Sequence, residues 1–404
     1  MKKTLLRLVC GICAALFLFA CTNADPETPS ARRVVLMYSA AFNNLSSYIS
    51  EDIDELCSGE LPGVGSSDIL LVYAHTTAHT GAYQMPTNPV LFRAYKDKDG
   101  VNRRDTITVY PNTDVSASAA TLCKVMEDIC KLFPAKGYGM IFSSHAKGWL
   151  PPGYSERGSS ILSTASAEDT PQEVFPLTKE LGIENVEGAG IDITDLPAAL
   201  PVKLDFLIID ACLMGCVEVA YELRDKCDLL LFSPTEILSD GMVYTTMAPL
   251  LTNTASPALL TICRQYMEQY QAKSGYYQSA TVTLVDCRKL EALAGVCQNI
   301  IAAHPGGIDA ADRSAVQKYF YNDFHWFYDL RDVMANIGAT QTELAALDKA
   351  LSECVLYKNA TEKFFNLELK RVCGLSMYLP IPSSTDLNKY YKTLAWNKVT
   401  GLIQ

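Results

Sequence analysis

The sequence is short of positive charge: 34 Lys and Arg stand against 45 Asp and Glu, for a formal charge of −11. Phosphate binding needs clustered cations, so this balance argues against nucleic acid as a partner. It leaves room for an acidic pocket suited to a basic substrate. Histidine is also scarce, with 5 in 404 residues, and no Cys and His pairs fall at zinc spacing. Cys212 and Cys216 lie one helical turn apart, but no second pair or nearby histidine completes a metal site. The sequence has no G-x-S-x-G elbow, no H-E-x-x-H pair and no phosphate-cradling G-x-x-x-x-G-K. Repeats are absent, and one apolar run, Leu8 to Ala20, is too short for a membrane span.

That run has the layout of a secretory leader, with Lys2, Lys3 and Arg7 before it. It closes on Leu18-Phe19-Ala20-Cys21, which resembles a bacterial lipobox. The expectation is cleavage before Cys21 and lipidation of its thiol, anchoring the chain without spanning the membrane. The mature protein would sit in the cell envelope, at the outer membrane or cell surface. Loss of the three leader cations takes the formal charge from −11 to −14. Thr22 to Ala31, polar and with two prolines, reads as a tether.

Of 14 cysteines, Cys10 and Cys13 leave with the leader and Cys21 carries the lipid. The remaining eleven are odd in number and without a repeated spacing, so most are expected in apolar cores as small hydrophobes. Buried strands are predicted at Arg33 to Ser39, Asp68 to Ala74, Tyr138 to Ser144, Leu204 to Ile209 and Leu229 to Phe232. Helical spacing marks Ser46 to Cys57, Ala117 to Phe133 and Leu213 to Leu223. A hairpin is predicted at Leu91 to Tyr110, turning on Asp97-Lys98-Asp99-Gly100. Such alternation predicts an α/β sheet covered on both faces. Gly153 to Glu187 loses periodicity and reads as a long exposed loop. The later chain turns more helical, with strands expected at Thr281 to Val285 and Gly374 to Leu379.

Two residues stand directly after buried strands. His145 lies in Ser143-Ser144-His145-Ala146-Lys147-Gly148-Trp149, and Cys212 in Ile209-Asp210-Ala211-Cys212-Leu213-Met214-Gly215. Open α/β sheets collect reactive groups at the carboxyl ends of their strands, so neighbouring strands would bring both to one edge. Cys212 is further expected to start a helix, whose dipole favours a thiolate. A thiolate attacks, an imidazole gives a proton to the leaving amine, and nearby N–H groups hold the oxyanion. A lone cysteine after a strand is more often a packed core residue, and His145 has an equally ordinary reading as a buried, bonded imidazole. His75, His79, His304 and His325 are weaker candidates.

Asp210-Ala211-Cys212-Leu213-Met214, continuing through Val217 to Leu223, resembles the nucleophile segment of the clostripain family in the caspase-like clan. His145 to Trp149 resembles its histidine segment. Met37 to Ala41, Ser233 to Glu236 and Gly374 to Pro380 are similar as well, over roughly residues 33–400. The resemblance implies a caspase-like αβα sandwich with a mostly parallel central sheet and a C-terminal mixed helical and strand portion. It implies a cysteine endopeptidase cutting after Arg or Lys through a Cys212–His145 dyad. The N–H groups of Ala146 and Cys212 would form the oxyanion hole, and Asp210 and Asp240 would bind the basic side chain. Some relatives cut themselves in the loop after the histidine, which singles out Arg157 among Lys147, Arg157 and Lys179. Ala146 departs from the family's glycine: it keeps the N–H but disfavours a positive φ. A turn needing that conformation would misaim the donor, at a cost of about a hundredfold in rate.

The expected layout is a leader (1–20), a tether (21–32), a peptidase domain (33–253) and a C-terminal portion (254–404) packing on it. Expected partners are protein or peptide substrates with Arg or Lys at the cut, and a membrane reached through the lipid. No cofactor is required; some relatives depend on calcium, but no Asp-rich calcium loop is evident. The alternative is a catalytically weak homologue that binds peptides or glycans at the surface, favoured by Ala146. A thiol redox role for Cys212 and Cys216 is a third class, weakened because redox pairs show Cys-x-x-Cys.

Overall fold

Strand β1 (Ala31–Ala40) is buried from Val34 onward, so both its faces must be covered by other elements. The computed structural model describes residues 31–80, 83–154, 176–178, 190–252, 254–320 and 326–404. The leader, residues 21–30 with Cys21, Arg157, Lys179 and His325 lie outside them, while Ala31 and Arg32, expected in the tether, open β1 instead. In a nine-stranded sheet β1 pairs in parallel with β2 (Asp68–His75) on one side. On the other side lie β5 (Ala135–Ser143), β6 (Leu204–Asp210) and β7 (Cys227–Phe232), all parallel. The hairpin β3 (Val90–Lys96) and β4 (Asn102–Val109) closes one edge, turning at Gly100 with φ 80. At the other edge, β8 (Thr281–Asp286) and β9 (Val355–Ala360) run antiparallel. The later chain thus extends the first sheet as well as packing on it, and Ala31–Gln404 is one compact unit.

Alternation along β5 and β6 divides the two faces. Met140, Phe142, Leu207 and Ile209 point one way, and Ser143, Phe206, Ile208 and Asp210 the other. Helix α1 (Ser46–Ser58) buries Ile49, Ile53 and Leu56 and packs against the Tyr244–Thr246 turn, on the Asp210 side. Helix α2 (Ala119–Leu132), capped by the Ser118 hydroxyl accepting from the Thr121 N–H, lies on the other side with α3 (Leu196–Ala199). Among the described residues no helix is long and apolar enough to cross a membrane. The eleven described cysteines form no disulfide with one another, and nine of them are buried as small core hydrophobes.

Residues 374–380 hold the middle of the sheet from below. Ser376 donates its N–H to the Gly215 carbonyl at 2.9 Å. Tyr378 N–H and the Tyr391 hydroxyl both donate to Glu218 Oε1, at 2.8 and 2.6 Å. Glu218 belongs to the short helix α4 (Val217–Glu222) and is fully buried. Burial pushes its carboxyl from 4.5 up to about 7, against the pull of those two donors. The folded state therefore holds this proton more tightly than the unfolded chain. Its contribution to stability is greatest below about 4.5 and is lost as pH rises to about 7. The loss is on the order of 3 kcal/mol. Glu218→Gln keeps the acceptor without the charge. Its melting temperature, measured by circular dichroism, should gain about 4 °C on the wild type between pH 4.5 and pH 8. A difference between the two proteins that stays constant with pH rules this out.

Candidate active site

Three parallel strands end side by side here. β1 runs out at Ala40, β5 at Ser143 and β6 at Asp210. Ser143 pairs with Asp210 across the sheet, so His145 and Cys212 each stand two residues beyond matched strand ends. The hydroxyl of Ser144 donates to the Ala40 carbonyl at 2.9 Å, fixing the histidine loop to the first strand. Gly148 then brings that loop against the nucleophile turn. It has φ 58, and a Cβ there would stand 2.6 Å from the Leu213 carbonyl oxygen. The contact requires glycine.

His145 is half-buried, and its Nε2 meets Asn44 Oδ1 at 2.7 Å. With that oxygen as acceptor, Nε2 carries the hydrogen. Asn44 was not singled out in the sequence, although Asn43-Asn44 follows a buried strand just as His145 and Cys212 do. Ala146 is absent from the residues with positive φ, which among described non-glycine residues are Leu213 (φ 63) and Phe365 (φ 52). The left-handed position expected to trouble alanine belongs to Gly148. The Ala146 N–H makes no hydrogen bond among the described residues.

Cys212 does not begin a helix, contrary to the sequence expectation. Helix α4 starts at Val217, with Cys216 as its N-cap. Leu213 in the left-handed region and Gly215 between them interrupt the helical path. A Cβ on Gly215 would stand 2.3 Å from the Pro234 nitrogen, so the turn sits directly on the 233–237 segment. Leu213 N–H donates to the Thr235 carbonyl at 2.9 Å, and Gly215 N–H to the Ser233 carbonyl at 2.7 Å. A leucine at positive φ is a costly conformation that only its surroundings can enforce. Cys212 Sγ accepts from the Ile237 N–H at 3.2 Å and donates to the Ile237 carbonyl at 3.6 Å. The sulfur is fully buried.

Asp210 is fully buried and accepts from the Ser143 hydroxyl at 3.2 Å and the Tyr244 hydroxyl at 2.7 Å. Burial first, and the Asp210 charge next, raise the Tyr244 hydroxyl well above its ordinary pKa and keep it a donor. Asp240 is different: it is exposed and paired with Lys273 Nζ at 2.6 Å. His75 ends β2 beside Ala40 at this same edge, but its ring is buried against the Ser116 hydroxyl, and His304 pairs with Glu343 at 2.8 Å. Cys216 is a buried cap residue. Among the described residues no three His, Cys, Asp or Glu side chains group as a metal site. On the face opposite Asp210, a cavity of ≈ 300 Å³ opens beside His145.

The clostripain family's sequence profile matches residues 37–400. No match is found among curated proteins. The chain is similar to the crystal structure of an inactive zymogen C11 protease from Parabacteroides distasonis, at 27% identity and TM-score 0.74. That match covers 92% of this chain and 98% of the other. A secreted C11 cysteine protease from Bacteroides thetaiotaomicron, in complex with an irreversible peptide inhibitor, matches at 26% identity and TM-score 0.72, covering 92% and 99%. Sheet order, strand-end geometry and a profile running nearly the whole described length agree, and the chain belongs to the clostripain family of cysteine proteases.

Proposed function

We propose that this protease cleaves peptide bonds after Arg or Lys, with Cys212 as nucleophile and His145 as its proton carrier. One observation carries the reading: the Ser143–Asp210 pairing sends both loops off the same edge, with Gly148 seated against Leu213. His145 takes the Cys212 proton, the sulfur attacks the scissile carbonyl, and the imidazolium protonates the leaving amine. Water then releases the acyl group from the sulfur. The N–H groups of Ala146 and Cys212 serve as oxyanion donors. Asn44 fixes the ring. Asp210, held by Ser143 and Tyr244, forms the base of the pocket for the basic side chain, where a charge-assisted pair is strong. Asp240 joins it after releasing Lys273.

The buried sulfur belongs, in this reading, to a latent form, consistent with similarity to a relative crystallised as an inactive zymogen. Cleavage at Arg157 would release it, and Cys21 would carry the lipid that holds the enzyme at the envelope. No step needs a cofactor, and a chelator titration tests calcium directly. A surface protein that binds peptides or glycans without turnover was favoured by Ala146 alone, and the φ values remove that ground.

Arg- and Lys-ended fluorogenic peptides should be hydrolysed under reducing conditions, with the band on a denaturing gel split near residue 157. Cys212→Ala and His145→Ala should each lower kcat by about a thousandfold or more. Activity that survives in Cys212→Ala disposes of the dyad, and an active preparation running as one full-length band disposes of the latent form. Asp210→Asn should cost about tenfold to a hundredfold in kcat/KM for basic peptides while changing a neutral P1 peptide little. Equal losses on both peptides would mean that Asp210 only supports the fold.

A further inference from the structure

The cavity beside His145 has no role in the chemistry above. Its walls are Met140, Phe142 and Ile209 from the sheet and Leu122 and Leu196 from the helices, with His145 in the rim. Exposed Pro152, Gly153 and Gly190 mark its mouth. At ≈ 300 Å³ it is large enough for a leucine, methionine or phenylalanine side chain.

Its place in the fold selects which substrate residue it faces. Asp210 lies on one face of β5 and β6, and the cavity walls Phe142 and Ile209 on the other. His145 stands between them at the strand ends. The basic side chain before the cut goes towards Asp210. The residue after the cut carries the leaving nitrogen, and that nitrogen is the atom His145 protonates. Its side chain therefore lies on the far side of the imidazole from Asp210, where the cavity opens.

We infer that this cavity is the subsite for the residue following the scissile bond and that it selects a large apolar side chain there. The inference rests on the dyad reading and narrows the substrate class to sites of the form Arg or Lys followed by Leu, Ile, Met or Phe. The driving force is burial of apolar surface against those walls, and Lys147, which also lines the cavity, opposes a basic side chain there.

The test uses the purified, reduced protein and quenched peptides identical except after a single Arg. Leu, Met or Phe at that position should raise kcat/KM by about tenfold or more over Gly, and Lys should fall below Gly. Ile191→Trp, which fills the cavity from its half-buried lining, should erase the preference for Leu while leaving the Gly peptide and an Arg-ended fluorogenic substrate unchanged. Should that variant fail to fold, the wild-type peptide series decides alone. Equal rates across the series, with the fluorogenic substrate still cleaved, overturn this inference and leave the dyad intact. No hydrolysis of the fluorogenic substrate overturns the dyad reading and the subsite with it.

Discussion

The pairing of β5 with β6 is the constraint on which the site depends. Side chains alternate along a strand, so a slip of one residue would send Asp210 to the opposite face and part His145 from Cys212. Tight packing fixes the register. Phe206 lies over Gly139, where a Cβ would come within 2.1 Å of its ring, so any larger residue at 139 must displace the phenylalanine. The Ser143 hydroxyl then closes onto Asp210 at the last matched pair. Register, pocket and catalytic edge follow from the same few residues.

The two reactive loops need a common floor, and the C-terminal portion provides it. Trp149, fully buried, packs its ring on Tyr378 at 4.8 Å and Tyr391 at 5.0 Å, tying the histidine loop downward. The nucleophile turn is tied to the same segment through Ser376 and Glu218. Residues 374–380 therefore belong to the site although none carries its chemistry. A fragment ending near residue 253 would lose two edge strands and this floor together.

Much of this was readable in advance. The central strands are continuous apolar runs bounded by polar turns, and period alone finds them. The rule that strand ends gather reactive groups pointed to His145 and Cys212, which stand beyond the matched ends of β5 and β6. Where it was not followed, at Asn43-Asn44 after β1, a site residue was passed over. The helix expected from Cys212 failed for a local reason. Leu213 to Leu223 has helical spacing, but Leu213 is forced into the left-handed region by its bond to Thr235, a contact made far along the chain. Helix Gln341–Cys354 also went unread, although Thr340 and Glu343 form a capping box legible as T-x-x-E. Edge strand β9 has only partly buried alternation and takes its conformation from β8.

The sheet thus separates two kinds of recognition. Around Asp210 lie Tyr244 and Tyr266, whose hydroxyls are raised in pKa by burial first and by Asp210 after it, and Tyr270, raised by burial and then by Tyr266 and Asp240. In the proposed reading that face takes the cation, since its tyrosines stay neutral and its carboxylate has hydroxyl donors. The other face is apolar where Met140, Phe142 and Ile209 line it. On the proposed reading, a peptide laid across the strand ends meets both faces at once, one side chain on each side of the imidazole. On that reading, selectivity on the two sides of the cut is set by different side chains, because alternation along β5 and β6 sends neighbouring residues to opposite faces.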